Sequence, residues 1–150
     1  MAAGLTVRRD RVEELRRQLS RYYRAHPAQE LPALEADVLV SDPALLDMEN
    51  VESLDRLEPC GNANPRPLLY MEGVNMESIV PIGGGRHLRL KVSKFGQTFD
   101  CVFFSRKREE LGVWEGQAAD LMFVPQINEF RSQRNVQLVI TDLRPHERER

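Results

Sequence analysis

The chain has 150 residues, of which 41% are hydrophobic and 29% charged, and its formal net charge is −2. These values are ordinary for a globular protein, and no apolar run approaches the ~18 residues that a membrane helix needs. The two cysteines, Cys60 and Cys101, lack the spacing of a zinc site or a disulfide scaffold. The composition therefore argues against a membrane protein and favours a reducing cytoplasm.

The near-zero net charge hides an uneven distribution of charged residues. Residues 1–25 carry seven arginines and three acids, residues 26–60 carry nine acids and one arginine, and residues 86–108 carry seven lysines and arginines and one acid. A polyanion would dock on the last of these segments, if the protein binds one. The alternative is that each charged run is only a solvated face.

The first 58 residues are expected to form an N-terminal helix followed by an acidic helical connector. Apolar residues at positions 12, 15, 19 and 22 recur at helical spacing and predict an amphipathic helix over residues 6–23. A short strand is expected over residues 36–40. Asp42 followed by Pro43 predicts a capped helical turn, and Asn50 is expected to cap a second short helix that runs to Leu57.

From residue 68 onward the hydrophobic pattern changes to period two. Leu88, Leu90 and Val92 alternate with polar residues, as expected for a strand with one buried face. A capped helical segment is expected over residues 105–112. Strands are expected over residues 68–74, 79–82, 86–93, 99–104, 119–124 and 136–143. This order predicts a mainly β protein with some helix, a small antiparallel β-barrel of the OB-fold type preceded by the N-terminal helix. The expected domains are residues 1–58, the barrel at 59–145 and a charged tail at 146–150.

The aromatic residues of the barrel divide between core and surface. Phe99, Phe104 and Phe123 lie in alternating patterns and are expected in the core. Adjacent residues of a strand point to opposite faces, so Phe103 is expected outside. Trp114 is expected to plug the barrel.

The sequence contains no recognisable catalytic or metal-binding motif. Its three histidines, His26, His87 and His146, are isolated from one another. The glycine run at residues 83–85 precedes a strand rather than a helix, so it indicates a hairpin turn and not a phosphate cradle. We therefore expect neither an active site nor a cofactor or metal in this chain.

Three segments resemble the C-terminal part of RecJ, the bacterial single-strand-specific 5′–3′ exonuclease. Residues 57–67, LEPCGNANPRP, are similar to the segment that leads into the RecJ OB domain. Residues 85–90, GRHLRL, resemble a G-x-H-L-K-L strand, and residues 128–142 resemble the N-x-(F/Y) to Q-L-x-I-x-D ending. Cys60 stands where the family has an aromatic residue, and Ala63 and Ser132 stand where it has glycine.

The resemblance implies a protein larger than this chain. Residues 2–5, AAGL, resemble the tail of a G-G-H-x-x-A-A-G-L motif, so the chain is expected to be a C-terminal piece. RecJ-like catalysis would use manganese or magnesium in a catalytic core that is missing here. The implied partners are single-stranded DNA, the catalytic domains of the parent nuclease and, as a further candidate, single-strand-binding protein.

The residues expected to contact the nucleic acid fall into three groups. The outward side of the strand at 86–93 and the turn after it supply Arg86, His87, Arg89, Lys91, Lys94 and Phe95. The connection between the last two strands and the start of the last strand supply Phe130, Arg131, Arg134 and Gln137. Arg66, in the segment at 60–67, is a third candidate beside the barrel entrance, although a structural role is favoured for that segment as a whole. Stacking on a base and packing under the barrel rim are both open for Phe130.

The leading hypothesis is a single-stranded-DNA-binding OB module that guides the strand to a catalytic core. The alternative is an interdomain or protein-interaction module that does not bind nucleic acid. In that alternative the basic face of the strand at 86–93 would contact a protein.

Overall fold

The computed structural model describes residues 5–25, 34–61, 64–130 and 132–147. The chain divides into two units, Met1–Leu34 and Glu35–Arg150. The expected domain boundary between residues 58 and 59 stays a prediction. The AAGL segment lies mostly outside the described residues, as do Asn62, Ala63 and the end of the charged tail. No helix among the described residues is long and apolar enough to cross a membrane.

The first unit contains the expected amphipathic helix. A 3₁₀ turn at Arg9–Arg11 leads into helix α1, Val12–Ala25. Leu19 and Tyr22 of its apolar face are 53% and 64% exposed.

The second unit begins with a short strand and two helical segments. Strand β1, Val38–Leu39, pairs in parallel with the start of the next strand. Asp42 caps the 3₁₀ turn Pro43–Leu45 through a 2.9 Å hydrogen bond from the Ala44 N–H, as expected. The expected cap at Asn50 was wrong. Helix α2 spans Met48–Ser53, is capped by Asp47, and continues into a 3₁₀ turn at Leu54–Leu57.

Five strands close a barrel. They are β2 (Leu69–Ile82), β3 (His87–Lys94), β4 (Gln97–Phe103), β5 (Ala118–Phe130) and β6 (Gln133–Pro145). The order around the barrel is β2-β3-β4-β6-β5, and β5 pairs back to β2. All these pairs are antiparallel except β4–β6. The expected OB-type barrel is confirmed.

One long strand replaces two expected ones. The strands expected at 68–74 and 79–82 both fall in β2, which begins at Leu69; its first half pairs with β5 and its second half pairs with β3. Register shifts between Met71 and Val74 and between Met76 and Ser78 bend the strand. Gly73, with φ at +59°, lies in the first irregularity, where its left-handed conformation suits glycine.

Three expectations for the residues from the end of β4 to Trp114 were wrong. Phe103 is buried and Phe104 is 55% exposed, because the inward alternation that starts at Phe99 passes through Cys101 and reaches Phe103. The segment 105–112 forms only a 3₁₀ turn at Arg108–Glu110. Trp114 is 58% exposed beneath the Arg108 guanidinium, which lies 4.4 Å from its ring.

The residues that close the core beside Trp114 are its aliphatic neighbours. Leu111 and Val113 are 5% and 0% exposed, and both belong to the main hydrophobic cluster. Gly112, between them, has φ at +66°. The segment therefore turns to bury two smaller apolar side chains, and the bulkier indole stays outside.

Candidate nucleic-acid interface

A groove of about 720 Å³ crosses the outer surface of the barrel at β3, β4, β5 and β6. Four of the residues that line it are among those expected to contact nucleic acid: Arg89, Phe130, Arg134 and Gln137. The others are Asp100, Asn128, Gln133 and Asn135.

Strand pairing explains why six of these side chains converge. Directly paired residues of neighbouring strands point to the same face of a sheet. Asn128 pairs with Asn135 and Phe130 with Gln133 on the β5–β6 hairpin, while Asp100 of β4 pairs with Gln137 of β6. The groove face therefore runs continuously from the end of the hairpin to the middle of the barrel.

The two arginines of the groove differ in their surroundings. Arg89 is exposed on β3 and forms no ion pair or hydrogen bond with any residue that the structure describes. Arg134 is held by α2, because its Nη2 lies 2.6 Å from Glu52 Oε1, and its cross-strand neighbour is Glu129. A phosphate that approached Arg134 would compete with Glu52, whereas Arg89 has no ion-pair partner among the described residues.

The remaining surface of the groove is polar and carries one aromatic ring. The side chain of Asn128 donates to Asn135 Oδ1 at 3.3 Å. Phe130 is 64% exposed near the tip of the hairpin, so it is not tucked into the core. An exposed aromatic ring next to amide side chains can stack on a base and hydrogen-bond its edge.

Other expected contact residues lie on different parts of the surface. His87 is half-buried, and its Nδ1 accepts a 2.9 Å hydrogen bond from the Ser105 N–H. Lys94 donates to the carbonyl oxygen of Glu72 at 2.6 Å, and its Nζ lies 5.1 Å from the ring of Phe95. Phe95 is 80% exposed, at a turn where its φ is +49°. His87, Lys94 and Phe95 do not line the groove.

Arginines at the barrel entrance and at the glycine turn are engaged locally. Arg66 Nη2 lies 2.6 Å from Glu58 Oε1, in a separate hollow beside Pro67. Arg86 Nε donates to the carbonyl oxygen of Gly83 at 3.2 Å.

Two further candidates complete the set. Lys91 is exposed on β3, opposite Asp100. The charge of Lys91 also acts on Glu77. Hydrogen bonds from Ser93 and Asn75 hold the pKa of Glu77 below its usual value, and the nearby charge of Lys91 lowers this pKa further. Arg131 lies outside the described residues.

At the barrel entrance, Asn64 bonds the backbone of the turn as expected. Asn64 Nδ2 donates to the carbonyl oxygens of Leu57 and Pro59 at 3.1 and 3.2 Å. Gly61 and Asn64 also form a backbone bridge. These bonds fix the path by which the chain enters the barrel.

Apart from Gln137, the amide residues of the groove were not predicted, although the sequence carries a signal for them. Gln126, Asn128 and Phe130 alternate, and Gln133, Asn135 and Gln137 alternate after them. Two such runs joined by a short turn predict one polar face on a hairpin. Asp100 gave no comparable signal, because its place in the groove depends on the parallel pairing of β4 with β6.

A second polar cluster lies around Asp120, at the other end of β5. The Asp120 carboxylate is 4% exposed and accepts hydrogen bonds of 3.0 Å from Tyr70 Oη and from the Gly73 N–H. Arg144 Nε lies 3.1 Å from it and His146 Nδ1 lies 2.6 Å from it. Burial alone would raise the pKa of Asp120, but these hydrogen bonds outweigh burial and the pKa lies below its ordinary value.

This cluster does not fit a catalytic metal. Its one carboxylate is already satisfied by hydrogen bonds, and the Arg144 guanidinium occupies one side of it. Across the described ranges, no three His, Cys, Asp or Glu side chains come together as metal ligands. A two-metal hydrolytic site needs several such ligands, so we derive no metal-dependent step for these residues.

Comparison with known proteins assigns the family. The family model of the RecJ OB domain matches residues 39–142, which cover the barrel from β1 to near the end of β6. The chain belongs to the RecJ OB domain family. It is 28% identical over 145 residues to the single-stranded-DNA-specific exonuclease RecJ of Bacillus subtilis (strain 168).

Solved RecJ structures share the fold. Crystal structures of Thermus thermophilus RecJ in complex with Mn²⁺ and with Mg²⁺ match with TM-scores of 0.66 and 0.65 at 20% identity, over 97% and 95% of this chain. The chain spans 18% of the Bacillus protein and 21% of the Thermus protein. The RecJ resemblance drawn from the three sequence segments is therefore confirmed at the level of the OB domain.

Proposed function

We propose that this RecJ OB domain binds single-stranded DNA in the groove between β3 and the β5–β6 hairpin. What supports the proposal is the convergence of Arg89, Arg134, Phe130 and an amide-lined surface in one groove of an OB barrel. Single-strand binders combine cations that follow the phosphates with aromatic faces on which bases stack. In duplex DNA the bases are already stacked and paired, so this surface suits a single strand better.

The charges of the groove indicate a modest affinity for single-stranded DNA. Arg89 has no ion-pair partner in the part of the chain that the structure describes, Arg134 is shared with Glu52, and Asp100 adds a negative charge. If two phosphates are neutralised, log K falls with log salt at a slope of about −1.4. A module that works beside a catalytic core can bind weakly alone, since linkage raises the effective concentration of the strand.

We propose further that the domain guides the strand to a metal-dependent 5′–3′ exonuclease core of a longer RecJ-type protein. Manganese or magnesium would belong to that core. The catalytic domains, and single-strand-binding protein as a further candidate, would be its partners. A cytoplasmic location is proposed with this assignment.

Fluorescence anisotropy of a labelled single-stranded oligomer, measured against the matching duplex over a range of salt concentrations, tests the proposal. Arg89→Ala should weaken single-strand binding about fivefold and reduce the salt slope by about 0.7. Arg56→Ala removes an exposed arginine that does not line the groove and serves as the matched control. Equal binding to duplex and single strand, or equal effects of the two substitutions, would contradict the proposal.

An interdomain contact is the second candidate function, and a separate apolar surface favours it. A hollow of about 360 Å³ lies beside β1 and α2, where Val38, Leu39 and Leu45 are 49%, 57% and 60% exposed. Another domain of the parent nuclease is the proposed occupant. Calorimetric titration with a Bacillus subtilis RecJ core that lacks its matching region should show binding that Leu45→Asp abolishes. Unchanged binding by that variant would rule out this hollow as the contact.

A further inference from the structure

One side chain of the groove is unexpected on a surface that binds a polyanion. Asp100 is half-buried on β4, between Lys91 of β3 and Gln137 of β6. Within the described part of the chain its carboxylate forms no hydrogen bond and no ion pair, although Lys91 is its cross-strand neighbour. It lines the groove as a solvent-accessible acceptor to which no described protein group donates.

A carboxylate in this place repels phosphates but suits one class of base edge. Ionised aspartate only accepts hydrogen bonds. Cytosine and adenine present an exocyclic amino group, and guanine presents an amino and an imino N–H. Thymine presents two carbonyl oxygens beside its single N–H, and these oxygens would face the negative charge. The base is accessible because a single strand leaves its pairing edge open.

The neighbour of Asp100 on β6 adds a hydrogen-bond donor. The Gln137 amide can donate as well as accept, and parallel pairing places it on the same face as Asp100. An acceptor next to a donor matches the amino group and ring nitrogen of cytosine or adenine. Arg89, which also lines the groove, supplies a cation for the phosphate of the same nucleotide.

We propose that Asp100 makes this groove selective, favouring bases that carry an amino group and disfavouring thymine. This inference rests on the proposed binding of single-stranded DNA. It assigns Asp100 as the specificity-determining residue and leaves Arg89 and Phe130 to contribute sequence-independent affinity.

The test compares oligo-dC with oligo-dT of equal length by fluorescence anisotropy. The pH is kept above neutrality, so that cytosine stays unprotonated, and a chelator removes divalent cations. The unmodified chain should bind oligo-dC about tenfold more tightly than oligo-dT, the scale of one good contact to a base edge. Asp100→Asn should bring the two affinities within about twofold, chiefly by strengthening the binding of oligo-dT.

Asp142→Asn supplies the matched control, since Asp142 is an exposed aspartate of β6 outside the groove, and it should leave the preference unchanged. Equal binding of the two oligomers by the unmodified chain would overturn the inference and leave the proposed function standing. An equal gain for both oligomers in Asp100→Asn would also overturn it, because Asp100 would then only repel phosphate. Failure of both oligomers to bind would overturn the inference and the proposed function together.

Discussion

The substitution Asp120→Ala should destabilise the barrel strongly. Asp120 is 4% exposed and accepts hydrogen bonds from Tyr70 Oη and from the Gly73 N–H, both at 3.0 Å. Removing the carboxylate leaves these two donors without their acceptor, next to a small void. The Gly73 N–H lies at the irregularity in the β2–β5 pairing, between Met71 and Val74, so the change acts where β5 closes the barrel onto β2.

The size of the effect follows from how deeply the partners of Asp120 are buried. An unsatisfied buried donor costs about 1–3 kcal/mol, and because Tyr70 and Gly73 are half-buried the low end applies, so the two donors together cost about 2 kcal/mol. The Arg144 side chain is 69% exposed, and its ion pair with Asp120 adds little after screening by solvent. For a domain of this size the loss corresponds to a decrease in melting temperature of about 7 °C.

The loss of stability caused by Asp120→Ala should depend on pH. Because the pKa of Asp120 is lower in the folded state than its ordinary value of 3.8, ionised Asp120 stabilises the fold above that value. This contribution disappears as the pH falls through the lowered pKa. The stability difference between the native chain and Asp120→Ala is therefore full near neutrality and shrinks in strong acid.

Urea denaturation followed by circular dichroism, at pH values from neutral to strongly acidic, measures this difference. Asp142→Ala is the control, because Asp142 is exposed on β6 and should change the unfolding free energy by less than about 0.5 kcal/mol. An equal effect of the two substitutions at neutral pH would refute the reasoning. So would a difference that persists unchanged below the lowered pKa.

Three further predictions concern the thiols, the hairpin turn and the tryptophan. Cys101 is fully buried, and burial raises the pKa of its thiol. A maleimide should therefore label only the half-buried Cys60 in the native chain, which mass spectrometry would show as a single adduct. A second adduct would contradict this prediction. Ser132→Gly should raise the unfolding free energy by about 1 kcal/mol, because Ser132 has φ at +63°; a loss of stability in urea would contradict the turn geometry. Acrylamide should quench Trp114 fluorescence readily, since the ring is 58% exposed under Arg108. Weak quenching would contradict the exposed position of the ring.

Local pattern predicted the strands well and their partners poorly. The alternation at Leu88, Leu90 and Val92 identified both the buried and the outward face of β3. The fusion of two predicted strands into β2 could not be read in this way, because a bulge interrupts the period without ending the strand. The outward orientation expected for Phe103 was wrong but avoidable, because alternation from the buried Phe99 through Cys101 places Phe103 inside.

The composition of the groove depends on pairings that no local pattern contains. Arg89, Arg134 and Gln137 were predicted from charge and position, and they do meet in one groove. The charge pattern gave equal weight to Lys94, which instead binds a backbone carbonyl. The ion pair of Arg134 with Glu52 joins residues 82 positions apart, so only the packed α2 and hairpin could reveal it.

A titration with single-stranded DNA, followed residue by residue in ¹H–¹⁵N NMR spectra of the 150-residue chain, tests the central claim most directly. We expect the largest shifts at Arg89, Asn128 and Gln137, with no more than small shifts at Gly73, which lies by the Asp120 cluster. Shifts concentrated around Asp120 or beside β1, or no shifts at all, would contradict the proposed interface.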